Sequence, residues 1–344
     1  MIDTFMRTKR AASAPVHIAI VGLGSIAVKH LKTIKALFPD WRVTVVRSQS
    51  RTIEPNLRPL VSEVILMSEL ASYVTKVHLD GAIVATPATV RLDVLEVLAP
   101  CCAAVLIEKP LAHSGAVARQ CETLERRTGC TFLVGYQLRH HEGYALMQQR
   151  IDEGAIGKVI QAHFECGSML SHWRPTIGVE DMVSGRRDLG GGVLRELSHE
   201  IDLANTLFGP LECSYAQMAN SQTFQIDVED VAKIQFCNAS GLLLSCHIDF
   251  CSVETRRFSV VHGQQGSLGW NVLAGEFIET DCNGDQQVTV VEKGTAGCFA
   301  AQLSHFANCI SRTEVPLVST QGARIVCEMI DDIQDRCSYG GKVK

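Results

Sequence analysis

The stretch VHIAIVGLGSIAVKHLKTIKAL, residues 16–37, decides the fold. VHIAIVG is a continuous apolar run closed by glycine, the pattern of a strand buried on both faces. GLGSIAVKHLKTIKAL then reads as a tight turn opening into an amphipathic helix. Gly22, Gly24 and Ala27 carry a G-x-G-x-x-A spacing. The first glycine allows the turn, the second lets backbone approach a pyrophosphate, and the small third residue packs helix on strand. Free N–H groups and the helix dipole favour anions at such a terminus. The motif alone is weak, but here a strand precedes it and a helix follows. Dinucleotide binding is expected, with Gly22, Gly24, Ser25 and Ile26 on the phosphates.

Strand and helix keep alternating downstream. WRVTVVRSQSR (41–51) is a second strand whose end should reach the adenosine ribose. A carboxylate there binds the 2′-hydroxyl of NAD, whereas arginine accommodates the 2′-phosphate of NADP. This end has no acid; it has Arg47, Ser48 and Arg51. NADP is therefore expected, with NAD possible if the basic turn is only a solvated surface. DGAIVATPA (80–88) and CAAVLIEKPLA (102–112) are further buried strands with polar C-terminal ends, where open α/β sheets bind ligands. TVRLDVLEVLA and AVARQCETLERRTG supply helices, and TFLVGY another strand. Residues 16–135 thus predict an α/β Rossmann domain with a doubly wound parallel sheet.

Composition bounds the rest. The chain of 344 residues is long enough for two domains. Hydrophobic residues make 46% and charged residues 20%, a globular balance. The net charge of −5 offers no pull toward nucleic acid or anionic membrane, and no apolar run suits a membrane span. The 14 cysteines are scattered without a C-x-x-C pair, which points to reduced thiols in the cytoplasm, and neither a disulfide frame nor a metal site is expected. Residues 1–15 read as a flexible tail. From 136 to 315, GKVIQAHFECGSM (157–169) and short runs at 229–239, 241–250, 255–262 and 266–272 predict an α+β domain with a large open antiparallel sheet. Two closing helices follow, the last (316–344) returning to the first domain.

The fragments GLGSIA, ATPA, IEKPLA, GYQLRHH, IGKV, GGGVLRELSHEIDL and RRFSVVHGQQGSL occur in this order. Together they resemble the glucose–fructose oxidoreductase, inositol dehydrogenase and rhizopine catabolism family (Gfo/Idh/MocA). The resemblance spans nearly the whole chain from residue 16. It implies NAD(P)-dependent oxidation or reduction of a ring hydroxyl on a sugar, nucleotide sugar or cyclitol. It also implies a homodimer or homotetramer assembled through the open sheet. Glu108, Lys109 and Pro110 match the family's E-K-P step, whose lysine lies between nicotinamide and substrate and whose Lys–Pro bond is often cis. Thr86 and Pro87 match its cofactor rim. Arg139 and Trp173 match positions that often line the substrate side. Two departures stand out: Ala88 where the family often has Asn, and Arg91 where it often has His.

GGGVLRELSHEID (190–202) adds the remaining candidates. On one continuous helix at about 100° per residue, Val193, Leu194, Leu197, Ile201 and Ala204 share a packing face. Arg195, Glu196, His199 and Asp202 share another, expected to close the site opposite Lys109. The resemblance identifies His199 by its H-x-x-D spacing. The family acid falls on Glu196 when counted from the glycines and on Arg195 when counted back from His199; a D-L-S-H-E-I-D version in one branch favours Glu196. Arg195 then joins the substrate-binding candidates. Asp202 either orients His199 or pairs internally. The leading reading is a dehydrogenase or reductase in which Lys109 and His199 share proton transfer. Alternatives are a redox-neutral elimination or epimerisation with bound cofactor, and a non-catalytic dinucleotide sensor.

Overall fold

A computed structural model describes residues 15–339; all of the expected tail except Pro15 lies outside them. The described chain divides into two compact units. Residues 15–112, 116–135 and 299–324 form the first; 113–115, 136–298 and 325–339 form the second.

The first unit carries β1 (His17–Val21), α1 (Ser25–Leu37), β2 (Arg42–Arg47), β3 (Glu63–Leu66), α2 (Leu70–Val74), β4 (Gly81–Val84), α3 (Arg91–Leu98), β5 (Ala104–Ile107), α4 (Gly115–Thr128) and β6 (Thr131–Val134). Its six strands run β3-β2-β1-β4-β5-β6, all parallel. This is the doubly wound order whose direction reverses between β1 and β4, leaving a ligand crevice at the strand C-termini. Every residue of β1, β4 and β5 is buried, as their unbroken apolar runs require. β3, a short edge strand of this sheet, and the α2 that follows it were not named in the sequence reading.

The second unit contains α5 (Glu142–Asp152), β7 (Val159–Gly167), α6 (Val193–Glu196), α7 (His199–Phe208), β8 (Glu212–Ala219), β9 (Val231–Cys237), β10 (Leu243–Asp249), β11 (Arg256–Gly263), β12 (Gly266–Asn271), β13 (Glu276–Asp281) and β14 (Gln286–Val290). α8 (Ala296–Ile310), α9 (Thr320–Arg336) and the two-residue β15 (Ser338–Tyr339) complete the described elements. The sheet order is β14-β13-β12-β11-β7-β10-β9-β8-β15. It is antiparallel apart from the β7–β10 and β8–β15 pairs. Alternation marks its strands: Ala162, Phe164, Leu244, Cys246, Ile234 and Phe236 are buried, while their neighbours are half-buried or exposed. Close packing is visible at Gly143 of α5, where an added Cβ would lie 2.3 Å from Trp270 Nε1.

The core of the first unit is not built from its N-terminal sequence alone. Leu303, Phe306 and Cys309 of α8 pack with Ile18, Ile20, Ile83, Leu106 and Leu31. A Cβ on Gly81 would approach Phe306 Cζ to 3.0 Å, so this strand and helix are in direct contact. Among the described residues no helix is long and apolar enough to cross a membrane.

Candidate active site

In the first unit the candidate residues lie at the C-terminal ends of β1, β2, β4 and β5. Gly22 has φ +93°, and a Cβ there would lie 2.7 Å from the Ala85 carbonyl oxygen. Only glycine fits, and its absent side chain brings the glycine turn against the segment that leads to Thr86. Gly24 is different: nothing lies within 4 Å of where its Cβ would stand. The turn therefore opens outward at that residue. α1 begins at Ser25 with no side-chain cap and no acid in its first turn. Val28 N–H is bonded to Gly24 O, so the donors before it remain directed out of the helix. The Thr86 hydroxyl is buried and has no hydrogen-bond partner among the described residues. Unclaimed donors, an open backbone cradle and an orphaned hydroxyl fit a pyrophosphate-bearing dinucleotide.

At the end of β2, Arg47 is half-buried and Ser48 exposed. Arg51 turns aside to an ion pair with Glu69. The other Glu69 oxygen accepts the Leu66 N–H at 2.7 Å. That backbone bond, helped by Arg51, holds the Glu69 carboxyl below its usual range.

At the end of β5, Glu108 is buried and Lys109 half-buried, and the Lys109–Pro110 peptide is cis. Glu108 Oε1 lies 2.6 Å from His30 Nε2 on α1. Burial pushes the Glu108 carboxyl up, but the His30 bond and the positive Lys109 and Arg91 outweigh it and hold it below the usual range. Pro87 and Ala88 lead into α3, whose first residue, Arg91, is 3% exposed. Its Nη2 donates to Thr86 O at 2.7 Å, and its Nη1 donates to the carbonyls of Glu108 and Pro110.

In the second unit the structure corrects the helix drawn through GGGVLRELSHEID. The helix is not continuous. α6 ends at Glu196, Leu197 has φ −104° and ψ 32°, and α7 starts at His199. The physical cause is Ser198. Its hydroxyl donates to Arg195 O at 3.0 Å, a local bond that competes with helical pairing. The same hydroxyl accepts from Tyr136 Oη at 3.2 Å. Arg195 and Glu196 therefore do not share one helical face with His199 and Asp202. Arg195 donates to His113 O and to Gln334 Oε1, both at 3.1 Å. Glu196 accepts from Ser184 Oγ at 3.1 Å.

His199 is 3% exposed, with its ring edge-on to Tyr136 at 5.4 Å between centroids. Burial pushes the Tyr136 phenol well up, so it stays a neutral donor. Asp202 pairs internally: its oxygens accept Arg139 Nε at 2.8 Å and Nη2 at 3.0 Å. Burial raises the Asp202 carboxyl, and Arg139 works against that rise. Glu200 is held by Arg257 Nε at 2.8 Å. Trp173 donates from Nε1 to Ser168 Oγ at 2.9 Å and stands edge-on to Phe250.

Sequence reasoning missed several groups. Tyr136 and His30 carried no signal beyond being polar residues inside apolar segments, and Arg91, noted as a departure from the family pattern, gave no sign that its guanidinium would be buried. Glu229 is 3% exposed, and a Cβ on Gly192 would lie 2.3 Å from its Oε1. The acidic pair at the head of β9, Glu229 and Asp230, was the available sign. One further cluster, His141, Glu292 and Cys298, places its ligand atoms within 4.8 Å of one another. However, His141 Nδ1 accepts Gly143 N–H and its Nε2 faces Gly294 O, so neither ring nitrogen has a lone pair to offer a cation.

Comparison with known proteins follows the same division. A model of the oxidoreductase family with NAD-binding Rossmann fold (GFO_IDH_MocA) matches residues 16–136, and one of the GFO/IDH/MocA C-terminal domain matches 144–269. The chain is 24% identical over 326 residues to a scyllo-inositol 2-dehydrogenase (NAD(+)) of Bacillus subtilis, covering 91% of this chain and 92% of that protein. It is 28% identical over 185 residues to a 1,5-anhydro-D-fructose reductase of Ensifer adhaerens, a match spanning 51% of this chain and 52% of that protein. Among solved structures, levoglucosan dehydrogenase in complex with NADH and levoglucosan superimposes with a TM-score of 0.80 at 18% identity, covering 94% of this chain and 97% of that one. KijD10, a 3-ketoreductase from Actinomadura kijaniata in complex with NADP and TDP-benzene, gives 0.80 at 17%, covering 94% and 98%. These two likenesses establish the shared fold.

Proposed function

Because the chain belongs to the Gfo/Idh/MocA family of oxidoreductases, we propose that it interconverts a ring hydroxyl and a ketone on a sugar, nucleotide sugar or cyclitol, preferring NADP and accepting NAD. The observation that carries the proposal is the pairing, in one parallel sheet, of an open glycine turn after β1 with Lys109 directly after β5. The chemistry supplied by the nicotinamide, when bound, is hydride exchange with the substrate carbon.

The chain's own residues do the rest. Gly22, Gly24, Ser25 and Ile26 hold the diphosphate with backbone donors, and Thr86 and Pro87 border it. Arg47, Ser48 and Arg51 receive the 2′-phosphate; Arg51 must leave Glu69 to do so. Glu108, kept ionised by His30, fixes the backbone from which Lys109 projects. Lys109 and His199 share the proton of the carbinol oxygen, with Glu196 setting their charge balance. Arg139, Trp173 and Arg195 shape the substrate side, Arg139 through its hold on Asp202. A polyol ring as substrate is supported by the names of the inositol and anhydrofructose relatives. A cytoplasmic location is part of the proposal, supported by 14 scattered cysteines without a C-x-x-C pair, which suit a reducing compartment. It assembles as a homodimer or homotetramer through the outer face of the nine-stranded sheet.

The test is turnover of reduced and oxidised coenzymes with myo-inositol, scyllo-inositol, 1,5-anhydro-D-fructose and levoglucosan, read by nicotinamide absorbance. Lys109→Ala and His199→Ala should each lower kcat by roughly 10²-fold, the scale of a lost acid–base group. Wild-type protein that binds coenzyme but turns over no polyol or ketose would reject the proposal. Product formed without net change in coenzyme would redirect it to elimination or epimerisation.

A further inference from the structure

Arg91 has no place in the proton transfer or in the coenzyme contacts proposed above, yet it is among the most deeply buried charges of the first unit. Its position alone would suggest a solvated helix start, since it opens α3. Instead the residue is 3% exposed. Withdrawing a guanidinium from water is unfavourable unless its donors find acceptors. Three main-chain carbonyls accept from it, and they come from two different loops. Nη2 takes Thr86 O, in the loop after β4. Nη1 takes Glu108 O and Pro110 O, in the loop after β5.

Those two carbonyls flank Lys109. The residue before it and the residue after it are both held by one nitrogen, and the other nitrogen ties the same group to the neighbouring loop. Between them, Lys109 is the part of the segment that is half-exposed. We infer that Arg91 is a positioning residue: its planar fork clamps the backbone on both sides of Lys109 and anchors it to Thr86, so setting where the Lys109 amine stands. The inference rests on the proposed role of Lys109 only for its effect on turnover; the clamp itself is a claim about where the amine is.

The geometry says why arginine is needed. Three carbonyls in two loops must be reached from one side chain, and the two Nη atoms of a rigid plane can do this together. A lysine ammonium keeps the charge but is a single point. It can satisfy one loop and not hold both. A glutamine keeps hydrogen-bonding capacity without charge or span.

The experiment compares wild type with Arg91→Lys and Arg91→Gln. The first readout is acetylation of each lysine by a limiting amount of acetic anhydride, followed by peptide mass spectrometry, with exposed Lys76 as the internal reference. The second is kcat and KM with the polyol that the wild type turns over best. In both variants the Lys109 labelling rate relative to Lys76 should change several-fold. Turnover should fall by up to about 10²-fold, the scale set by a misplacement of about 1 Å, with KM moving far less. Arg91→Lys should not restore either readout. If Arg91→Gln fails to fold, Arg91→Lys alone carries the test, since it preserves the charge and one loop contact. Folded variants with wild-type Lys109 labelling overturn the inference, as does full rescue by lysine. Changed labelling with unchanged kcat would uphold the clamp and reject Lys109 as the proton-transfer group, so the two claims fail separately.

Discussion

Breaking the Arg139–Asp202 pair should destabilise the second unit far more than a surface ion pair would. Asp202 is 1% and Arg139 12% exposed at the side chain, and the two meet through Nε–Oδ2 and Nη2–Oδ1 bonds of 2.8 and 3.0 Å. Removing one partner from a buried pair leaves a desolvated charge and costs about 3–5 kcal/mol. Asp202→Asn leaves a guanidinium with some water access, so the lower end, about 3 kcal/mol, is expected. For a unit of this size each kcal/mol moves Tm by about 2–4 °C, giving a fall of about 6–12 °C. Differential scanning calorimetry of Asp202→Asn, Arg139→Met and the double variant Arg139→Met/Asp202→Leu measures it. The double variant should recover much of the loss, because both charges have gone together. A single-variant effect below about 1 kcal/mol, the range of exposed pairs, would refute the reasoning. It would also return Arg139 to the role of a substrate anchor, which predicts a raised KM and unchanged stability.

Gly22→Ala forces a side chain into φ +93° and against the Ala85 oxygen; it should lose about 1–2 kcal/mol of stability from the backbone conformation alone along with coenzyme binding. Gly24→Ala meets no atom within 4 Å, so its melting temperature should match wild type while NADPH affinity falls; equal stability losses in both would contradict the two glycine roles. The Glu108 carboxyl is held below its ordinary 4.5, so its ionisation contributes stability above that pH, and the contribution is lost as pH falls through the folded value. Glu108→Gln should therefore flatten the acid limb of the stability–pH curve, measured by urea midpoints; an unchanged limb would remove the His30–Glu108 pair from the account. Arg47→Asp should reverse a preference for NADPH in fluorescence titrations, and Glu69→Gln, by releasing Arg51, should strengthen it; wild type that binds NADH as tightly would end the NADP reading.

How far the sequence could be read depended on the range of the interactions involved. β1 and α1 were legible because burial on both faces and a three-residue spacing are local properties of 22 consecutive residues. β8, β13 and β14 were not named: Glu212, Ser214, Tyr215 and Gln217 of β8 are exposed and break its apolar run, and four of the five residues of β14 are exposed. The break between α6 and α7 was invisible for a different reason. A helical wheel assumes continuity, whereas Ser198 is engaged by Tyr136, 62 residues earlier. Arg91 shows the same limit. Its partners are backbone carbonyls up to 19 residues away, and a carbonyl has no letter in the sequence. The identities of Lys109 and His199 came from the resemblance, and their burial and neighbours came from the structure.

The packing of α8 into the first unit orders events on the ribosome. The strands β1 to β6 have all been synthesised by residue 134, but Leu303, Phe306 and Cys309, which complete their hydrophobic core, come after β7 to β14 have been made. At translation speeds of roughly 5–20 residues per second, the delay is on the order of 10–30 s. During that interval the nascent sheet presents Ile18, Ile20, Ile83 and Leu106 without their final cover, a surface that chaperones recognise and that other nascent chains can join. A message truncated before codon 303 would make that transient exposure permanent, even though every residue of the dinucleotide-binding turn had been translated.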